Sequence, residues 1–143
     1  MRAAIVHPPI DPAALIAEVA NESNGATSVF LGTVRSDNDG KDVTGIEYSA
    51  YDEMAETEME AILEEARSAF AVEHAVVEHR VGTLAVGDIS IAVVVATPHR
   101  AASLSAVQYI VEEVKGRAPI WKLEHYVDGT RGWVGAGSRE AAR

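Results

Sequence analysis

The nine residues Ile89–Thr97, ISIAVVVAT, constrain this chain more than any other stretch. A run so rich in β-branched and small apolar residues offers no polar face to water. It therefore reads as a central strand buried on both sides. Thr97-Pro98 ends it, and a helix follows from about His99 to Lys115. Gly116 stands where a helix commonly stops, and Pro119 prevents continuation.

Other elements follow from local punctuation. Asp11-Pro12 reads as an N-cap followed by proline at the first helical position, opening a helix to about Ala20. After the Asn24-Gly25 turn, ATSVFLGTV reads as a buried strand ending near Arg35, and SDNDGKD as a polar loop. VTGIEYSAY is a second strand. Asp52 then caps a helix reaching about Phe70, with Met54, Met59, Ile62, Leu63 and Ala66 as its apolar stripe. Its glutamates, Glu53, Glu56, Glu58, Glu60, Glu64 and Glu65, read as a solvated face. VEHAVVEHRVG is a further strand, on which His74 and His79 fall on opposite faces and make a poor metal pair. Gly82 and Gly87-Asp88 bracket a tight connection. IWKLEHYV is the final strand, before the Asp128-Gly129 turn, and the tail from about residue 135 is expected to be mobile. No repeat or long linker interrupts the chain. The expectation is one α+β domain over 1–143 with a mostly antiparallel or mixed sheet.

Charge narrows the function. Twelve Lys and Arg stand against 22 Asp and Glu, a net charge of −10. That balance argues against a nucleic-acid partner but leaves room for an anionic small molecule at a local basic pocket. With no cysteine, disulfides, thiolate metal sites and cysteine nucleophiles are excluded. The opening MRAAIVHPPIDP is neither a signal peptide nor a membrane span, so the expected location is cytoplasmic. No P-loop, Gly-x-Ser-x-Gly elbow or metal-ligand cluster appears, and no metal or cofactor is expected.

Three clusters carry candidate chemistry. TPHR, Thr97–Arg100, places a titratable donor and a fixed cation at a helix N-terminus, where free N–H groups favour an anion. VKGRAPIWK holds two of the chain's three lysines, Lys115 and Lys122, seven residues apart around Arg117 and Pro119. Lys115 alone could simply complement a helix dipole. Two lysines brought together depress each other's pKa, and a neutral amine can act as nucleophile or base near pH 7. If Trp121 and Leu123 face the core, Lys122 and Glu124 face outward or into a cleft. Arg35, at the end of the first long strand, is the third candidate.

Taken in order, FLGTVR, VGTLAVGDISIAVVVATPHR and KGRAPIWK resemble the catalytic (large) subunit of molybdopterin synthase, over nearly the whole chain to about Val134. The His-Arg pair followed fifteen residues later by Lys-x-Arg-Ala-Pro-x-Trp-Lys is the specific part. The resemblance implies an α/β-hammerhead core with a small additional antiparallel β subdomain, and a homodimer. It implies that a cyclic pyranopterin monophosphate receives two sulfurs as a dithiolene. The donor would be a small ubiquitin-like partner whose C-terminal Gly-Gly carries a thiocarboxylate, giving a heterotetramer.

Position by position, Lys115 and Lys122 match the family's active-site lysines. His99 and Arg100 match its substrate-contacting pair, reaching the pterin across the dimer interface. Thr33, Val34 and Arg35 match the substrate segment, Leu123-Glu124 extend the site, and Arg117 would help draw the partner's tail. Some relatives carry lysine where this chain has Thr33, which puts one phosphate contact in question. Past Val134 this chain reads Gly135-Ala136-Gly137 where many relatives are charged, so Arg131 or Arg139 would have to substitute. The rival reading is a non-catalytic α+β module that binds an anionic metabolite.

Overall fold

A computed structural model describes residues 1–134, and in it every residue from Ser90 to Thr97 is buried. The elements in chain order are β1 (Arg2–Val6), α1 (Pro12–Val19), β2 (Ala26–Thr33), β3 (Asp37–Asn38), β4 (Lys41–Ala50), α2 (Asp52–Phe70), β5 (His74–Arg80), β6 (Gly82–Ala85), β7 (Ile89–Thr97), α3 (Arg100–Arg117), β8 (Ile120–Tyr126) and β9 (Arg131–Val134). The first sheet has the order β1-β5-β7-β2, so the apolar run is internal as expected. Only β1–β5 is parallel there.

Alternation along β5 and β7 divides the core. Ala75, Val77, Ile91, Val93 and Val95 pack under α2 and α3 with Met59, Ile62, Ala106, Ile110 and Val114. Val76, Ala92, Val94 and Ala96 turn the other way and meet Leu15 and Val19 of α1. Asp11 caps α1 as read from the sequence, its Oδ1 accepting from the N–H groups of Ala13 and Ala14.

The second sheet is antiparallel: β4 pairs with β3 and β8, β9 pairs with β8, and β6 pairs with β4 on the edge opposite β8. The architecture is thus α+β, a helix-covered sheet with a smaller antiparallel sheet beside it. SDNDGKD is a hairpin rather than a loop, because Asp39 and Gly40 both take positive φ, 50° and 78°, as a two-residue primed turn requires. β1, β6 and β9 are the other strands that the sequence reading did not identify.

Two boundaries and one stripe residue need correction. Tyr51, not Asp52, is the N-cap of α2, and Met54 lies exposed off the buried stripe. α3 does not stop at Gly116; it runs to Arg117 with Ala118 as its C-cap. Its last turn is held from outside, since the Arg117 guanidinium donates to Glu58 at 2.7 Å, Glu65 at 2.7 and 2.9 Å and Glu113 at 3.2 Å. Part of the acidic face of α2 is therefore a fastening to α3 rather than a solvated surface. Pro119 then holds Ala118 extended, at ψ 134°, which ends the helix.

Gly45 shows how closely the two edges of β4 are set. A Cβ there would stand 2.9 Å from the backbone oxygen of Leu84 in β6. Gly45→Ala should force β4 and β6 apart at a cost of about 1–3 kcal/mol. A fall in the denaturant midpoint with little change in far-UV circular dichroism is the expected result.

Candidate active site

Strand register brings one set of candidates to a common end of the fold. His79 on β5 lies opposite Ile91 on β7, and Ile91 lies opposite Gly32 on β2. Thr33, Val34 and Arg35 therefore emerge at the end of the sheet where β5 finishes. Lys122 on β8 is cross-strand from Tyr48 on β4, whose ring meets the His79 ring edge-on, centroids 5.0 Å apart. Lys115 closes the cluster from the last turn of α3.

Lys115 feels the charge of Lys122. Lys115 is open to solvent along its side chain, yet its ammonium sits where protein crowds around it. That crowding first, and the charge of Lys122 second, draw the Lys115 pKa below the ordinary lysine value. Lys122 is half-buried, on the face of β8 that also carries Glu124. Glu124 is 2% exposed, and its Oε1 accepts a 2.6 Å hydrogen bond from Asn38 Nδ2. So it is Lys122 and Glu124 that turn toward Tyr48 and the small sheet's core. Trp121 lies on the other face, where it meets Tyr51 edge-on at 4.8 Å and lines an open groove with Trp133. Leu123 is buried.

The remaining candidates separate into three situations. Thr33 and Arg35 are exposed, whereas Val34 packs its side chain among Val43, Ile46 and Leu84 and can present only backbone. That backbone is tied down, with Val34 N–H donating to Asp88 O and Val34 O accepting from Gly87 N–H. Arg117 carries three carboxylates, so an incoming tail would have to share its guanidinium. Arg131 is exposed beside His125, and Arg139 lies outside the described residues.

His99 and Arg100 stand apart. His99 is the N-cap of α3 without a side-chain cap bond, and the helix has no acidic residue in its first turn. Fifteen residues of helix at 1.5 Å rise put Arg100 roughly 22 Å from Lys115 within one chain. One protomer therefore does not bring the two halves of the predicted site together.

Charge is distributed selectively. Arg2, Arg67, Arg80 and Arg117 each pair with Asp or Glu. Among the described residues, Arg35, Arg100, Lys115 and Lys122 make no ion pair. No group of His, Asp and Glu there could hold a metal, and no helix there is long and apolar enough to cross a membrane.

The sequence reading missed His79, Tyr48, Ser90 and Asn38. The sequence treats His79 only as half of a poor metal pair with His74. The signal lay in its parity, since Ala75, Val77 and His79 share the face that α3 covers. Burial holds its pKa down to about 4, with the Lys115 charge adding to the effect and a hydrogen bond from Nδ1 to Arg80 O opposing it. Between the ordinary 6.5 and about 4, the unfolded chain binds a proton at His79 that the folded chain refuses. Stability therefore falls as pH falls through that window. His79→Gln should flatten this part of the stability–pH curve, read as denaturant midpoints across the window; an unchanged slope would refute the assignment.

Comparison with known proteins identifies the family. The model of the MoaE protein family matches residues 5–117. A molybdopterin synthase catalytic subunit from Nostoc sp. is 41% identical over 138 residues, covering 96% of this chain and 84% of that protein. The crystal structure of molybdopterin synthase from Staphylococcus aureus superposes with a TM-score of 0.88 at 34% identity, covering 92% of this chain and 96% of that one. A complex of subunits 1 and 2 of molybdopterin-converting factor from Helicobacter pylori shares the fold, with a TM-score of 0.77 at 23% identity over 95% of this chain and 92% of that one. With the family model spanning most of its length and relatives at such identity, the chain belongs to the MoaE family, the catalytic subunits of molybdopterin synthase.

Proposed function

We propose that this chain transfers sulfur from the C-terminal thiocarboxylate of a small ubiquitin-like partner to cyclic pyranopterin monophosphate, forming the molybdopterin dithiolene. The observation that carries the reading is the Lys115–Lys122 pair, two amines coupled at one end of the fold without a carboxylate partner among the described residues. Each transfer moves one sulfur from the tail's acyl carbon to a substrate carbon, and water finally closes the acyl carbon as a carboxylate. A lysine of lowered pKa can attack or orient that acyl carbon while the second moves protons. A Gly-Gly tail is narrow enough to approach between side chains. The two-subunit Helicobacter complex supports such a partner, since a chain of this fold is found there with a second, different subunit.

The separation of Arg100 from Lys115 supports a site completed by a second protomer, which would take the phosphate end of the substrate. His99 and Arg100 of one chain would complete the lysine site of the other, with Arg35 as an additional cation. The working assembly is then a homodimer holding two partner subunits.

Lys115→Ala and Lys122→Ala should each remain folded and lose about 10²–10⁴-fold in turnover with thiocarboxylated partner and pterin. Lys122→Arg should not rescue, because a guanidinium stays protonated. Wild-type turnover in both alanine variants would end the assignment. The shared site has its own test. Mixing Lys115→Ala with Arg100→Ala and allowing subunits to exchange gives mixed dimers that each hold one intact site. Up to about a quarter of wild-type activity should return from two nearly inactive proteins if random pairing holds. No recovery despite mass-spectrometric evidence of exchange would place both residues in one protomer's site.

A further inference from the structure

We propose that Asn38 is a positioning residue for the lysine site: its amide holds the Glu124 carboxylate to the β3–β4 hairpin and so keeps Lys122 free of a carboxylate partner. The proposal rests on the role given to Lys122 above.

The hairpin lies over one face of β8. Alternation puts Lys122, Glu124 and Tyr126 on that face. The tight turn at Asp39 and Gly40 sets Asn38 opposite Lys41, and Val43 N–H donates to Ser36 O at 2.7 Å to close the base of the hairpin. Both side chains flanking the turn reach β8. Lys41 Nζ stands over the Tyr126 ring, 4.8 Å from its centroid, and Asn38 Nδ2 donates to Glu124 Oε1 at 2.6 Å. Val127 N–H donates to Asp42 O at 2.9 Å, which ties the hairpin to the end of β8 through the backbone as well. Along this face the hairpin therefore takes Tyr126 and then Glu124. Lys122 is the next residue on the face, and the hairpin leaves it alone.

The chemistry of that arrangement is selective. Lys122 and Glu124 stand two residues apart on one strand face, roughly 7 Å between Cα atoms, a gap that their side chains can close. An ion pair between them would be the ordinary outcome, yet among the described residues Lys122 makes none. Glu124 is 2% exposed, so its carboxylate has to be bonded by protein. Asn38 supplies such a bond from a neutral amide, which satisfies the oxygen without bringing a second cation toward Lys122. A carboxylate bonded directly to Lys122 would favour the ammonium and withdraw the amine from attack or proton transfer. The other ionisable groups at this point are Lys115 from α3 and Tyr48 from β4, with His79 of β5 behind the Tyr48 ring. None of them is a carboxylate, so Glu124 is the acid that must be held off.

Two measurements test this. In protein labelled at its lysine side chains, the Lys122 Nζ resonance followed against pH gives that group's own titration. Asn38→Ala releases Glu124 to bond the ammonium and should move the midpoint up by about one pH unit. Adding Glu124→Gln should abolish the rise. An unchanged midpoint in Asn38→Ala, or a rise that survives Glu124→Gln, would overturn the proposal. This readout needs no activity, so it stands even if Lys122→Ala proves active and the sulfur-transfer role of Lys122 falls. If Lys122→Ala is inactive while Asn38→Ala titrates as wild type, only the assignment of Asn38 falls. The second measurement is the pH–rate profile of single-turnover sulfur transfer. In Asn38→Ala its rising limb should move up by the same interval, giving about a 10-fold loss below the limb and the wild-type plateau above it. A purely structural role would instead lower the rate at every pH, and that result, or a wild-type profile, would refute the assignment. If the double variant does not fold, the shape of this profile decides.

Discussion

Burial of β7 on both faces is the constraint from which the rest of the structure follows. Val93, Val94 and Val95 are each fully enclosed, so the chain must supply a layer on either side. α1 provides one layer and α2 with α3 the other, and alternation along the strand assigns each residue to its layer. Shifting the register by one residue would exchange the two faces and mismatch both layers. That rigidity fixes what happens at the strand's two ends. One end leads through Pro98 to His99 and Arg100, and the other faces Thr33, Arg35 and the lysines.

α3 converts this into a distance. It begins at Arg100 and finishes at Arg117, and its length sets His99 and Arg100 apart from Lys115. The Arg117 cluster keeps the far end from fraying. Glu65, held down to about 2 by Arg117 and then by the Tyr109 hydroxyl, and Glu58 both reach across from α2. Because these side chains are partly solvated, the cluster's contribution to stability is modest. Its geometric effect is larger, since it carries the helix through Gly116 and places Lys115 in a turn that would otherwise be the first to open.

Legibility followed physical strength of signal. β7, the α1 cap and the extent of α2 were readable, because long apolar runs and capping chemistry act locally. The lysine, His-Arg and strand-end clusters were also readable as residues worth attention. Short edge strands were not: β1, β3, β6 and β9 acquire their state from partners distant in sequence, and β3 is only two residues long. The Asp39-Gly40 pair could have exposed the β3–β4 hairpin, since Asp-Gly is a primed-turn signal. The orientation of β8 was beyond local reasoning. Trp121 and Leu123 look like the core face, but pairing with β4 turns Lys122 and Glu124 toward Tyr48 instead. The place of His79 is hard to read locally, because strand alternation gives the face its ring takes but not which layer covers that face.

The chain's acidity sharpens the meaning of its unpaired cations. With ten net negative charges, nearly any basic side chain could find a carboxylate. Arg2 finds Glu18 and Glu78, and Arg67 finds Glu64 and Glu73. Lys41 rests over the Tyr126 ring, 4.8 Å from its centroid. Lys115 and Lys122 do otherwise, and Glu124, the nearest acid on the same strand face, is occupied by Asn38. Leaving two neighbouring ammonium groups uncompensated costs stability, and the Lys115 pKa, drawn down first by burial and second by the Lys122 charge, carries part of that cost. An anion arriving between them removes the repulsion. The fold thus holds its lysines in a state that the arrival of an anion would relieve.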